Sequence, residues 1–385
     1  MGVPLQFIYI QDYEALKDVC AKLAQAQVIA VDTEFVRTRT LFPKLGLIQV
    51  CDGEHVILID PLALLDLSPF WRLIEDPSIV KVLHACSEDL EVFLTVANCR
   101  PQNLIDSQIM MAFLGRGLSV GYAAMVKHFL DIDLDKSDSR TDWTKRPLTD
   151  SQLMYAQADV THLIQIYPKL LAEIEKTPWL EAVKQESALM IEKKFTPLDE
   201  STLYYNVKMS WRLNPKQLNA LKHLAIWRYE QAKKKNLPIG FIAKDHTLIG
   251  VAQRLPTNMS AMFSIEGAEQ LDIKHKGKIM LSVLQKASKV PEEEYPSRIT
   301  RLDEYPGYKQ VFKRIKNFVQ KMAKQHEVLP ENMASKKQIN QFLTWHYKLN
   351  GQSDCREQIE LLRDWRFELV GEQLLLAAKN NFSTL

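Results

Sequence analysis

The sequence predicts an α/β domain built on a mixed sheet, followed by two small all-α modules. Three observations carry this reading. Short apolar runs alternate with amphipathic stretches over the first half, and the first three runs crowd together over Val28 to Ile59 with turn residues between them. After about residue 195 the strand signals fade and helical periodicity takes over.

The β-type runs are Val28 to Val31, Leu47 to Val50, Val56 to Ile59 and Val80 to Leu83. Phe42-Pro43 and Asp52-Gly53 punctuate the first three, so these should meander antiparallel within a mixed sheet. Helical periodicity covers Ser87 to Ala97, Ser119 to Leu130 and Asp150 to Ile174, the last opened by the capping-box pattern Thr149-x-x-Gln152. Asn214 followed by Pro215 reads as an N-cap and a first helical residue, opening a helix to about Asn236, and Asp245 is placed to cap the next. A last helical stretch runs from about Tyr308, after the acidic, proline-containing segment Val290 to Ser297. Its Trp345, Trp365 and Phe367 read as core. The expected domains are therefore residues 1–205, 206–292 and 293–385.

With 385 residues, 46% hydrophobic and 25% charged, the chain has an ordinary globular composition and enough length for several cores. No run approaches the roughly 20 apolar residues of a membrane-spanning helix, and MGVPLQFIYIQDYE lacks the basic and apolar regions of a secretory leader. Five cysteines, odd in number and without a CxxC pair, argue against a disulfide framework or a cysteine zinc site. The expected location is the reducing cytoplasm. Neither GxxxxGKS/T nor a GxGxxG after a strand is present, so no nucleotide cofactor is expected.

The net charge of +2 conceals a segregation. Residues 1–195 carry 19 Lys and Arg against 27 Asp and Glu, a net −8, whereas residues 208–290 carry 15 against 5, a net +10. Residues 291–385, with 15 against 13, are close to neutral. A basic module beside an acidic one points to a polyanionic partner and to metal-dependent chemistry, with solvated helix faces as the plainer reading.

Three motifs carry chemistry. Asp32 and Glu34 end the first apolar run, and strand alternation puts both on one side. Adjacent carboxylates repel, and a hard divalent cation such as Mg²⁺ or Mn²⁺ relieves that cost; a solvated loop is the alternative. Asp89 follows the run Val80 to Leu83 in the opening turn of a helix, where acids also serve the helix dipole. His84 and Cys86 beside it lack further ligands at metal spacing. Tyr155 and Asp159, at i and i+4, share a helix face beside small Ala156 and Ala158. Together Asp32, Glu34, Asp89 and Asp159 would balance two divalent cations, which at roughly 3.5 to 4 Å apart activate water and stabilise the leaving oxygen of a phosphodiester displacement.

At these residues the sequence resembles the DEDD exonucleases, and within them the ribonuclease D group. The matching blocks are DTEFVRTRTLFPKLGLIQV from Asp32, VLHACSEDLEVF from Val82 and DWTKRPLTDSQLMYAQADVTHL from Asp142. The resemblance implies an RNase H-like fold for the first domain and hydrolytic 3′ to 5′ release of 5′-mononucleotides from structured RNA such as transfer RNA precursors. It implies two metal ions, Mg²⁺ or Mn²⁺, held by Asp32, Glu34, Asp89 and Asp159, with Glu34 also near the terminal 3′-hydroxyl. Tyr155 marks the tyrosine branch, in which the phenol orients the attacking water.

Residues 212–289 resemble an HRDC domain, through LKHLAIWRYEQAKKKNLPIGFIAKDHTLIGVAQRLP from Leu221 and IKHKGKIMLSVL from Ile273. The final stretch has the length of a second HRDC-like module. Lys233, Lys234, Lys235, Lys274, Lys276 and Lys278 are the candidate phosphate contacts, and Arg140, Lys145 and Arg146 stand ready to clamp phosphates near the cleft. Two other readings remain open at this point: a DNA exonuclease with the same site, and an RNA-binding module without turnover.

Overall fold

The computed structural model describes residues 7–135, 138–351 and 355–385. Met1 to Gln6, part of the stretch read for a leader, lies outside the described residues. Six strands form one sheet: β1 (Phe7–Ile10), β2 (Val28–Val36), β3 (Lys44–Cys51), β4 (Val56–Ile59), β5 (Val80–Leu83) and β6 (Leu104–Asp106), in the order β1-β4-β3-β2-β5-β6. The expected meander is present, since β2–β3 and β3–β4 are antiparallel. The other pairs, β1–β4, β2–β5 and β5–β6, are parallel, so the sheet is mixed.

Seven helices accompany the sheet: α1 (Tyr13–Leu23), α2 (Ser68–Glu75), α3 (Ser87–Ala97), α4 (Ser107–Phe113), α5 (Tyr122–Leu130), α6 (Asp150–Ile174) and α7 (Leu180–Phe195). Strand alternation decides what each covers. Ile29, Val31, Ile48, Val50, Ile57 and Ile59 share one core with Leu16 of α1, Phe70 of α2 and Phe93 of α3. The opposite face is covered by α6, which packs on β2, β3, β4 and β5. The N-terminus of α6 is the expected capping box, with Thr149 and Gln152 satisfying each other's backbone N–H. α5 starts at Tyr122, later than the Ser119 expected, because Gly121 in extended conformation is its N-cap.

The chain divides into two compact units. One contains the sheet and α1–α7, with Phe42–Thr196 and Val319–Ser335 among its segments; the other includes Pro197–Phe318 and Lys336–Leu385. In the second unit α8 (Pro215–Lys235), α9 (Ile239–Ile242), α10 (Asp245–Arg254), α11 (Met259–Phe263) and α12 (Gln270–Ala287) enclose a core that includes Leu218, Leu221, Leu224, Leu248, Val251, Ile273 and Met280. Asn214 caps α8 in a second capping box, as expected. Asp245 does not cap α10: Lys244 takes that position, and the Asp245 carboxylate accepts from Arg228 Nη1 at 2.7 Å and Lys208 N at 3.2 Å. Trp365 is buried, while Trp345 and Phe367 are half-buried. No helix among the described residues is long and apolar enough to cross a membrane.

Candidate metal centre and active site

Asp32 and Glu34 project from one face of β2, opposite Gln49 and Leu47 of β3. After Glu34 the register slips by one residue at Gly46. A Cβ on Gly46 would lie 2.6 Å from the backbone oxygen of Trp143, so only glycine lets the segment ahead of α6 come this close to the sheet. The Trp143 ring in turn lies 6.0 Å from that of Tyr155. α6 crosses the same face with Ala156 fully buried against it, and one turn later presents Asp159. The carboxylates of Asp32, Glu34 and Asp159 each offer an oxygen within 4.8 Å of the others.

Asp89 lies beside that trio, close enough for its charge to act on Asp32 and Glu34. It is buried in the first turn of α3, and Thr33, between the two β2 carboxylates but pointing to the other face, donates its hydroxyl to Asp89 Oδ1 at 2.5 Å. The turn into α3 passes through Ala85 at φ +54°. It is pinned by Asp106, whose carboxylate accepts from Ala85 N at 2.9 Å, Cys86 N at 3.0 Å and Gln108 N at 2.7 Å. The structure thus arranges the four expected carboxylates as three together and one beside them.

Their electrostatics are those of an uncompensated acidic site. Burial, then the neighbouring carboxylates, raises Asp32 and Glu34 well above the usual carboxylate range. Burial pushes Asp89 and Asp159 up to about 7, against the hydrogen bonds from Thr33 and Tyr155 that pull them down. Burial and the surrounding negative charge also raise the Tyr155 phenol, which therefore stays protonated as a hydrogen-bond donor. An all-oxygen donor set with charge to be neutralised fits a hard divalent cation.

Several residues at the site escape a reading by motif. Tyr122 of α5 donates to Ala158 O at 3.1 Å and to Asp159 O, tying α5 to the backbone that carries the last carboxylate. His84 is no metal ligand: Nδ1 meets Ser107 Oγ and Nε2 meets Val120 O, both at 2.9 Å. Thr33 and Tyr122 carry no spacing signal, because each acts on a residue distant in sequence, and the N-cap position of Asp106 at α4 gives no hint that it also holds the turn into α3.

The basic candidates divide. Arg146, expected to clamp phosphate, is instead spent on the buried Asp60, with Nε and Nη2 at 2.7 and 2.6 Å from its two oxygens and Nη2 also 2.6 Å from Gly46 O. The charge is internally neutralised, which removes it from the phosphate candidates. Lys276 is held by Asp272 at 3.0 Å and Lys233 by Glu200 at 2.5 Å. Lys145, Lys234, Lys235, Lys274 and Lys278 are exposed, with no ion pair among the described residues.

Comparison with known proteins gives three family matches: a 3′-5′ exonuclease model over residues 7–175, the HRDC domain over 217–284 and the C-terminal HRDC domain of ribonuclease D over 306–374. The chain is 42% identical to ribonuclease D of Escherichia coli (strain K12) over 361 residues, covering 94% of this chain and 95% of that protein. It is 40% identical to ribonuclease D of Haemophilus influenzae over 378 residues, covering 98% and 94%. Its structure matches the crystal structure of Escherichia coli RNase D, described as an exoribonuclease involved in structured RNA processing. The TM-score is 0.93 at 41% identity, with 98% of this chain and 99% of that one covered.

Proposed function

The chain belongs to the ribonuclease D family and is a hydrolytic 3′-5′ exoribonuclease, and from that premise we propose that it trims the 3′ ends of structured RNAs such as transfer RNA precursors, releasing 5′-mononucleotides with two divalent cations, Mg²⁺ or Mn²⁺. The family assignment decides between the RNA and DNA readings in favour of RNA. One observation carries the catalytic part: Asp32, Glu34 and Asp159 converge within 4.8 Å on the face of the sheet that α6 covers.

Asp32, Glu34 and Asp159 would hold the cations, with Asp89 completing the set beside them. Bound there, the cations supply a nucleophilic water at neutral pH and charge stabilisation for the departing oxygen. Tyr155, protonated and bonded to Asp159, offers its phenol to orient that water. Glu34, on the same face of β2 as Asp32, would also receive the terminal 3′-hydroxyl. Thr33 donates to the Asp89 carboxylate, and Tyr122 holds the backbone of Asp159.

Residues 1–205 form the catalytic domain in this reading, with HRDC modules at 206–292 and 293–385; each family match falls inside one of them. The exposed Lys234, Lys235, Lys274 and Lys278 contact RNA phosphates, supported by the net +10 of residues 208–290. A cytoplasmic location is supported by cysteines that are all free, four of them buried.

The test is a transfer RNA labelled at its 5′ end and carrying a short 3′ extension, incubated with Mg²⁺, with chelator, and with Asp159→Asn. A metal-dependent ladder shortening from the 3′ end, missing in the variant, is the expected result. RNA binding without a ladder in any lane would refute it.

A further inference from the structure

Gln49 is fully buried, yet neither its Oε1 nor its Nε2 has a hydrogen-bond partner among the described residues. Its neighbours along β3, Leu47, Ile48, Val50 and Cys51, are apolar and fully buried. An apolar side chain would suit the strand better, because a buried amide that bonds to nothing has given up its water without replacement.

Register determines what this amide faces. Gln49 is the cross-strand partner of Asp32, and directly opposed residues of an antiparallel pair project from the same face. α6 packs over that face of β2 and β3 and brings Asp159 to Asp32. The unpartnered amide therefore lies beside the carboxylate trio on its protein side, with one donor group and one acceptor uncommitted.

We propose that Gln49 is a positioning residue for the cation site: when a cation is held there, its otherwise unpaired Nε2 would donate to an Asp32 carboxylate oxygen and fix that carboxylate's orientation. The inference rests on the metal-site reading above. Ligating carboxylates are themselves held by hydrogen bonds from surrounding residues, and losing such a partner weakens metal affinity by roughly 10- to 100-fold.

The experiment uses the full chain and Mn²⁺ alone as probe. Calorimetric Mn²⁺ affinity and the metal-free melting temperature are measured for the wild type, Asp32→Asn and Gln49→Met, whose thioether chain is close in volume and cannot donate. Gln49→Met should bind Mn²⁺ about tenfold or more weakly. Its metal-free melting temperature should equal or exceed the wild-type value, since no buried amide is left unpaired, and kcat should fall with KM for RNA nearly unchanged. Wild-type Mn²⁺ affinity in Gln49→Met, with binding lost in Asp32→Asn, overturns the role of Gln49 alone. Absence of Mn²⁺ binding by the wild type overturns the metal site and this role with it. A Gln49→Met chain that fails to fold, or melts well below the wild type without metal, places the amide's partner inside the metal-free fold and also overturns the proposal.

Discussion

Arg146 closes on Asp60 as a bidentate pair across 86 residues, Nε lying 2.7 Å from one carboxylate oxygen and Nη2 2.6 Å from the other. Tyr9 adds a third bond to the same carboxylate at 2.9 Å, and the guanidinium also reaches Trp143 O at 2.9 Å. The pair fastens the end of β4 to the segment that leads into α6, the helix carrying Tyr155 and Asp159.

Breaking this pair should cost stability. Asp60 is 1% exposed, so Arg146→Lys, which loses the bidentate fork, leaves a buried carboxylate poorly paired at about 3 kcal/mol of unfolding free energy, while Asp60→Asn, which leaves the half-buried guanidinium facing a neutral amide, should cost less. Denaturant titration of both single variants and the double variant measures it, and the double should lose less than the sum. Against the burial that raises it, Arg146 and Tyr9 bring Asp60 down to about 2. A lowered carboxylate stabilises the fold above its unfolded value, so this contribution is lost as pH falls from about 4 through 2.

The acidic site reverses that dependence. Asp89 and Asp159, raised to about 7, bind protons more tightly in the folded metal-free chain than in the unfolded one. Metal-free stability should therefore decrease as pH climbs from about 4 through 7. Melting curves at pH 5 and pH 8, with chelator and with Mg²⁺, should show a drop between the two pH values that Mg²⁺ cancels.

Asp32→Asn and Asp159→Asn should each reduce kcat on the order of a thousandfold, as loss of several kcal/mol of transition-state stabilisation requires. Both variants should melt no lower than the wild type without metal, because each removes a repelling buried charge. Single-turnover assays paired with melting curves separate this from misfolding.

Tyr155→Phe should lower kcat roughly a hundredfold while KM for RNA stays within about twofold, the signature of a group that acts on the water rather than on substrate binding. A matched rise in KM with normal kcat would contradict this role.

Salt titration of RNA binding separates the lysines. Replacing Lys234, Lys235, Lys274 or Lys278 by Ala should lower the log–log salt slope by about 0.7 for each phosphate no longer neutralised. Lys233→Ala and Lys276→Ala should leave it nearly unchanged, since Glu200 and Asp272 already hold those charges.

Much of this site was legible because it is local. Asp32 and Glu34 share a face by the two-residue period of a strand, and Tyr155 and Asp159 by the i, i+4 spacing of a helix. The meander of β2, β3 and β4 showed in its turn residues. β1 went unread: four residues, with Ile8 exposed, give too short a period to detect, and its partner β4 lies some 50 residues away.

The sequence by itself determined the mixed α/β domain, the helical modules, which side chains share a strand or helix face at the candidate site and the segregation of charge, because composition and short-range period suffice for these. Tertiary structure alone decided that Thr33 holds Asp89 beside the other three carboxylates, that Arg146 spends its charge on Asp60, and that Gln49 lies across from Asp32 with no partner among the described residues. The physical reason is register and packing: a one-residue slip in β2–β3 pairing, or a looser approach of Trp143 to Gly46, would regroup the same side chains without altering any local pattern.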